Sequence, residues 1–251
     1  MTRLYFDDGR VRSFWHGRTV GRVRVTTAGP TGMTGRTTRR EFSTAASARA
    51  SLKSLAEKKR ASGFRDYDPD AVAVYRPKGR RPATEKQLDK LAVAVGYQIP
   101  DEYLRFLRTA NGGYPLPGYI AIPDPPYGVG TWGAGLLPGL FADETDPLSL
   151  WWYLRRTSPL LPDGVLPVAV DSDTFGLWLG EPHAVYKFDH EEPSGEEDED
   201  GNVAWTWDDA VVVAQSFDEF LGRIANLAAD EPDAYRPAPP DGWTPYRPSC
   251  G

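Results

Sequence analysis

The stretch Gly96-Tyr97-Gln98-Ile99-Pro100-Asp101-Glu102-Tyr103-Leu104-Arg105-Phe106-Leu107, closed by Asn111-Gly112-Gly113, holds a helix stop, a helix start and a second stop. Gly96 suits the left-handed backbone that ends a helix. Asp101 follows Pro100 and opens the next one, in which Tyr103, Leu104, Phe106 and Leu107 recur at helical spacing. Asn111-Gly112-Gly113 is again a run that tolerates positive φ. Upstream, Thr84-Glu85-Lys86-Gln87 forms a capping box, and Leu88, Leu91 and Val95 lie on one face of the helix it starts.

Downstream, residues 114–142 are rich in Gly, Pro and aromatics and show no clear period. Asp146-Pro147 reads as an N-cap with Pro at the first helical position, opening a helix through Trp151, Trp152 and Leu154. Strand-like runs follow at 166–170, 175–179 and 184–188, and an acidic loop, 191–200, precedes another at 203–207. Ser216-Phe217-Asp218-Glu219 is a second capping box, with Phe220, Leu221, Ile224 and Leu227 as the stripe of a final helix. The tail, 229–251, is dominated by Pro and is expected to be extended and outside any core.

The first part of the chain has a different texture. Residues 2–42 read as short strands: Leu4-Tyr5-Phe6, Phe14-Trp15, an alternating run from Gly21 to Thr26, and a run from Thr37 to Phe42. Alternation puts Val23 and Val25 on one face, with Arg22 and Arg24 together on a solvent face. The same alternation puts Arg40 on Phe42's inward face, which implies a bulge or a shifted register. A helix capped by Thr44 runs to about Ser62, with Ala45, Ala48, Leu52, Leu55 and Ala56 as its apolar stripe and Gly63 just beyond. Residues 67–82 are polar or breaker-rich and serve as a linker, with a short strand around residues 71–75. The expected domains are therefore 1–66 and 83–228. Both belong to an α+β architecture, a small sheet with one helix followed by helices packed on a mainly antiparallel sheet.

Charge follows the same division. Residues 1–82 hold 19 Lys+Arg against 7 Asp+Glu, a net of +12, whereas residues 83–251 hold 10 against 28, a net of −18. A basic unit suits an anionic partner and an acidic one a cationic partner. No run approaches the roughly 20 apolar residues of a membrane span. The N-terminal residues lack an apolar signal region, and the lone Cys250 excludes an intrachain disulfide. A cytoplasmic protein with no membrane partner is expected.

Enzyme signatures are absent: there is no P-loop, no HExxH and no G-x-S-x-G. The three histidines, His16, His183 and His190, show no metal-ligand spacing, and no metal or cofactor is expected. Asp171-Ser172-Asp173 with Gly176 starts like a calcium loop, but Phe175 and Pro182 occupy positions that need oxygen ligands, leaving a polar turn. Glu191, Glu192 and residues 196–200 form a charge run, which is either a solvated loop or a patch that steers a basic partner. Trp205 and Trp207 share one side of their run, as core residues or as interface anchors.

The stretch from Gly96 to Gly113 resembles the signature of the SUKH superfamily (Smi/Knr-type). Three further blocks occur in the same order: Val165-Leu166-Pro167-Val168-Ala169-Val170-Asp171, Ala184-Val185-Tyr186-Lys187-Phe188-Asp189-His190-Glu191, and Val213-Ala214-Gln215-Ser216-Phe217-Asp218-Glu219-Phe220-Leu221. A Gly-Asp pair frequent in that family is replaced here by Asp173-Thr174-Phe175-Gly176. The resemblance implies an α+β protein-binding domain, in many bacterial members an immunity protein that neutralises a toxin. Residues 2–66 resemble a WGR domain through Ser13-Phe14-Trp15, the alternating strand, Phe42 before the capped helix, and Glu57-Lys58-Lys59 before Gly63-Phe64. Ala28 and Pro30 stand where that family has its Trp and Arg, the residues that implicate the loop in nucleic-acid contact.

The leading expectation is a non-enzymatic protein that occludes a basic toxin domain, with no catalytic residue. Asp171, Asp173, Glu191, Glu192, Trp205 and Trp207 are its candidate partner-binding residues. The alternative is a nucleic-acid-associated regulatory or scaffolding protein in which Arg22, Arg24, Arg36 and Arg39 meet phosphates.

Overall fold

Four strands, β1 (Thr2–Asp7), β2 (Arg12–Val20), β3 (Val23–Pro30) and β4 (Arg36–Glu41), pair in sequence order as an antiparallel sheet, and α1 (Ala45–Ala61) follows. The computed structural model describes residues 2–7, 12–30, 35–66, 73–77, 80–116, 118–124, 128–141, 145–191, 193–197, 201–230 and 243–246. The chain divides into two compact units, residues 1–67 with 123–129, and residues 68–122 with 130–251.

In the first unit, Thr44 caps α1: its hydroxyl accepts from the Ser47 N–H at 3.0 Å while Ser47 Oγ accepts from the Thr44 N–H at 3.2 Å. Leu4, Trp15 and Ala56 form a small core with Ala28, Leu52 and Leu55 packed against it. That core fixes which sheet face the helix covers, and it corrects the expected placement of Arg24. Arg24 is only 9% exposed, and its guanidinium donates to Ser51 Oγ on α1 at 2.5 Å. Trp15 and Ala28 pair across β2 and β3, so even-numbered β3 residues face the helix. Arg24 and Arg40 are directly paired and both lie over the Phe42 ring, with no register shift in that ladder.

The opposite face carries Tyr5, Phe14 and His16, whose rings contact one another. Burial, with the Arg3 charge nearby, pushes the His16 imidazole down to about 4. The unfolded chain then binds a proton that the folded chain refuses, so stability falls as pH drops from about 6.5 towards 4. At pH 4 the loss from this one group is about 3 kcal/mol. His16→Phe should flatten that dependence in hydrogen-exchange stabilities of β2 amides. An unchanged slope would mean the acid sensitivity resides elsewhere.

The second unit contains β5 (Ala73–Pro77), α2 (Glu85–Val95), α3 (Asp101–Thr109), β6 (Tyr114–Leu116), α4 (Leu150–Arg156), β9 (Val165–Val170), β10 (Thr174–Trp178), β11 (Val185–Phe188), β12 (Ala210–Ala214), α5 (Phe217–Asp230) and β13 (Trp243–Tyr246), together with those parts of β7 (Tyr119–Asp124) and β8 (Gly128–Gly133) that lie outside residues 123–129. Its main sheet is antiparallel in the order β12-β11-β10-β9; a smaller antiparallel sheet runs β13-β5-β6, and β7 pairs with β8. The fold is α+β.

The main sheet has two distinct faces. Phe175, Leu177 and Val185 belong to the large core that also takes residues from α2, α3 and α5. Tyr103 and Phe106 of α3 meet Phe217 of α5 with ring centroids 4.9 and 5.2 Å apart. On the other face, Val165, Phe188, Trp178 and Tyr186 pack with Leu161, Trp205 and Ala210. Gly96 ends α2 at φ 68°, and Ser216 Oγ accepts from the Glu219 N–H in the last capping box, whose carboxylate returns to the Gln215 N–H at 2.7 Å.

Three expectations differ from what is observed. Asp146-Pro147 does not open a helix: α4 starts after Ser149, because backbone bonds between Gly139 and both Leu148 and Leu150 hold residues 148–150 against that strand-like segment. Residues 203–207 are not a strand; Val203 makes one bridge to Glu197, a 3-10 turn spans Trp207–Asp209, and the edge strand is β12. The tail, expected to be extended and outside any core, contributes the strand β13, which pairs with β5, the short strand expected around residues 71–75.

Candidate functional site

Between β9 and β10 the chain makes a tight turn in which the Asp171 N–H donates to the Asp173 carbonyl at 3.0 Å. Thr174 pairs with Phe188, so the residues just after β11 lie beside this turn. That register brings together Asp171, Asp173, Lys187, Asp189, His190 and Glu191, which the sequence separates into two blocks.

Lys187 pairs directly with Phe175 and so points to the core side of the sheet. Its ammonium lies 2.7 Å from Asp189 Oδ2 and 3.3 Å from Asp173 Oδ2. Asp173 is 2% exposed, and its Oδ1 also takes the His190 N–H at 3.2 Å and His190 Nδ1 at 3.0 Å. Burial alone would push Asp189 up, but hydrogen bonds from Lys187 and the Glu191 N–H hold it below its ordinary value. The hydrogen bond to Asp173 raises His190. Stability from that contact is therefore present below about pH 6.5 and fades as pH rises through the raised value. A His190→Gln chain should lose this alkaline-side softening in thermal melts between pH 6 and 9; an identical profile would sever the link to His190.

Asp173, Asp189 and His190 can present ligand atoms within 4.8 Å of one another. Lys187 already places a cation among those oxygens, and a divalent ion would have to displace it. Among the described residues His190's side-chain partners are the carboxylates of Asp173, Asp189 and Glu191, which favour its protonated form.

Of the expected partner-binding residues, Asp171 and Glu191 are exposed. Asp171 sits against Gly133 so closely that a Cβ there would come within 1.8 Å of its Oδ2. Asp173 is buried and compensated from within. That burial corrects its expected role as a docking charge: Oδ2 faces the Lys187 ammonium and Oδ1 takes the His190 backbone and ring contacts before any partner arrives. Glu192 lies outside the described residues. Trp205 is half-buried against Phe188 and donates its indole N–H to the Asp189 carbonyl at 2.5 Å, tying the loop to the acidic cluster. Trp207 packs on Tyr186 and Trp178 yet remains 44% exposed. Sequence reading missed Lys187, although alternation with Val185 was a signal that it faces inward.

The expected phosphate-binding arginines do not share a surface. Arg36 pairs with Ala28 and so lies on the helix-covered face of the first sheet together with Arg24, whereas Arg39 pairs with Val25 on the other face. Arg22 forms an exposed ion pair with Glu41 at 2.7 Å.

Among the described residues no helix is long and apolar enough to cross a membrane. Neither a curated protein nor a solved structure matches the chain. A family model does: that of the SMI1 / KNR4 family (SUKH-1) matches residues 82–223, from just before the first capping box into α5. The two helices around Gly96, the main antiparallel sheet and the start of the capped final helix fall inside that match, which covers more than half the chain, and the protein belongs to the SMI1 / KNR4 family (SUKH-1).

Proposed function

We propose that this protein is an immunity-type binding protein whose second unit holds a basic toxin domain and blocks it by occlusion. Domains of this family are generally non-enzymatic and generally linked to protein partners. The observation that carries the reading is the carboxylate surplus beside the β9–β10 turn. Asp173, Asp189 and Glu191 gather around one lysine and one histidine, and Glu191 and the neighbouring Asp171 leave negative charge exposed. Fixed carboxylates next to an aromatic layer with Trp207 exposed can mimic the phosphates a basic partner is built to hold.

Reversing both exposed charges, Asp171→Lys with Glu191→Lys, should slow association with the basic toxin domain about 10-fold at low salt, an effect that fades as salt rises. Trp207→Ala should instead speed dissociation, with a cost of about 1–2 kcal/mol. Surface plasmon resonance against candidate toxin domains encoded near this chain's gene measures both rates. Unchanged association after charge reversal would remove the acidic turn from the interface.

A further inference from the structure

On the outer face of the main sheet, Trp178 of β10 and Tyr186 of β11 pack in one layer with Val165 and Phe188. Trp207 meets that layer from the 3-10 turn Trp207–Asp209, its ring centroid 5.7 Å from that of Trp178 and 5.2 Å from that of Tyr186. It stands at 75° to both, so the rings form a corner and not a flat stack, and Trp207 remains 44% exposed. The turn that carries it is pinned. The Asp209 carboxylate accepts from the Thr206 N–H at 2.7 Å and the Ser194 N–H at 3.2 Å, and the Thr206 hydroxyl accepts from the Asp208 N–H at 3.2 Å. Asp209 is thereby engaged, whereas among the described residues the exposed carboxylate of Asp208, next to the ring in sequence, has no hydrogen-bond or ion-pair partner.

Elsewhere the chain supplies cations to its own rings: Lys90 Nζ lies 4.4 Å from the Trp151 ring centre, and the Arg156 guanidinium 5.0 Å from that of Trp152. Among the described residues no Lys or Arg lies over Trp207, Trp178 or Tyr186. Residues 171–209 hold 13 Asp+Glu against a single Lys and no Arg. That lysine, Lys187, points to the core side of the sheet, away from these rings.

We propose that this corner seats an arginine side chain of the partner protein, with the guanidinium against the Trp207 ring and paired with Asp208. The proposal rests on the reading that this unit docks a basic protein, and names what the exposed tryptophan takes from it. An indole face is the best aromatic surface for a cation. A guanidinium is planar and weakly hydrated, so it stacks on the ring while its edge donates to a carboxylate; an ammonium is a compact, strongly hydrated charge that does the first poorly. The carboxylate surplus around the rings favours a cationic occupant over an apolar one. A free quaternary ammonium is held by rings that enclose it, whereas this corner is open towards solvent and suits a group carried by a larger surface.

The test titrates the full chain at physiological salt with N-acetyl-argininamide, N-acetyl-lysinamide, N-acetyl-citrullinamide and tetramethylammonium, following indole N–H signals by NMR. The Trp207 signal is assigned by its disappearance in Trp207→Leu. The arginine amide is expected to shift that signal saturably and to bind about 5-fold tighter than its neutral citrulline isostere, the worth of one partly exposed cation–π contact. Asp208→Asn keeps the ring and its turn, and should cut arginine binding about 2-fold while leaving citrulline binding unchanged. Equal binding of the arginine amide and either the citrulline or the lysine amide would overturn the proposal, as would arginine shifts that leave the Trp207 indole unmoved. Tighter binding of tetramethylammonium would do so too, by pointing to a small quaternary amine as the occupant. The probes contain no toxin, so their failure leaves occlusion by the acidic turn standing.

Discussion

Lys187→Met is expected to cost about 3–5 kcal/mol of the second unit's stability, because it leaves Asp173 and Asp189 facing each other without their shared ammonium. Asp173 is buried, so water cannot take the lysine's place. The pair tells its own story through a cycle: Lys187→Met combined with Asp173→Asn should recover a large part of the loss, since the uncompensated charge is then gone. Urea denaturation of the single and double variants measures this. A loss below about 1 kcal/mol in the single variant would mean that the ammonium is not what neutralises the turn.

Asn111→Ala is the second large effect, also about 3–5 kcal/mol, and its causes can be separated. Asn111 sits at φ 51° and is buried, with Nδ2 donating to the Arg81 carbonyl at 2.8 Å and Oδ1 accepting from the Leu140 N–H at 2.7 Å. Alanine loses both bonds, strands two buried backbone groups, and resists the left-handed backbone. Asn111→Gly keeps the conformation and loses only the bonds, so it should fall between Asn and Ala. A crowded contact explains why the geometry is fixed: a Cβ on the facing Gly139 would lie 2.0 Å from the Asn111 carbonyl oxygen. Equal melting temperatures for the Gly and Ala variants would remove backbone strain from this account.

Asn111 also shows how much of the fold was legible beforehand. The run from Gly96 to Gly113 and both capping boxes rest on local chemistry, cap hydroxyls and glycine-like φ, and these elements appear where the residues place them. Features set by distant pairing were not legible. β13 lies in the Pro-dominated tail and is a strand because it pairs with β5, far earlier in the chain. The run 203–207 alternates like a strand, yet its tryptophans serve as plugs over the outer face of the main sheet. Arg24 was misplaced because apolar Val23 and Val25 looked inward-facing. On β3 the residues that share the helix side with Trp15 are instead Arg24, Thr26 and Ala28, and the arginine head reaches Ser51 on α1.

The site was legible in the same uneven way. Asp171 and Glu191 are exposed and Trp207 is partly so, and these could be picked from charge and alternation alone. The internal neutralisation of Asp173 depends on β10 pairing with β11 so that Thr174 meets Phe188, a register that no local pattern specifies. An acidic cluster in sequence thus divides into a buried part that holds the turn and an exposed part available for docking.

On the proposed function, the second unit occupies a partner and turns nothing over. The most direct test is a titration of toxin activity with this protein at fixed toxin concentration, using candidate toxin domains encoded near its gene. Occlusion predicts a linear loss of activity that ends at one chain per toxin domain and shifts to higher ratios with Asp171→Lys and Glu191→Lys. Full inactivation at a small fraction of one equivalent, or no loss at several equivalents, would contradict it.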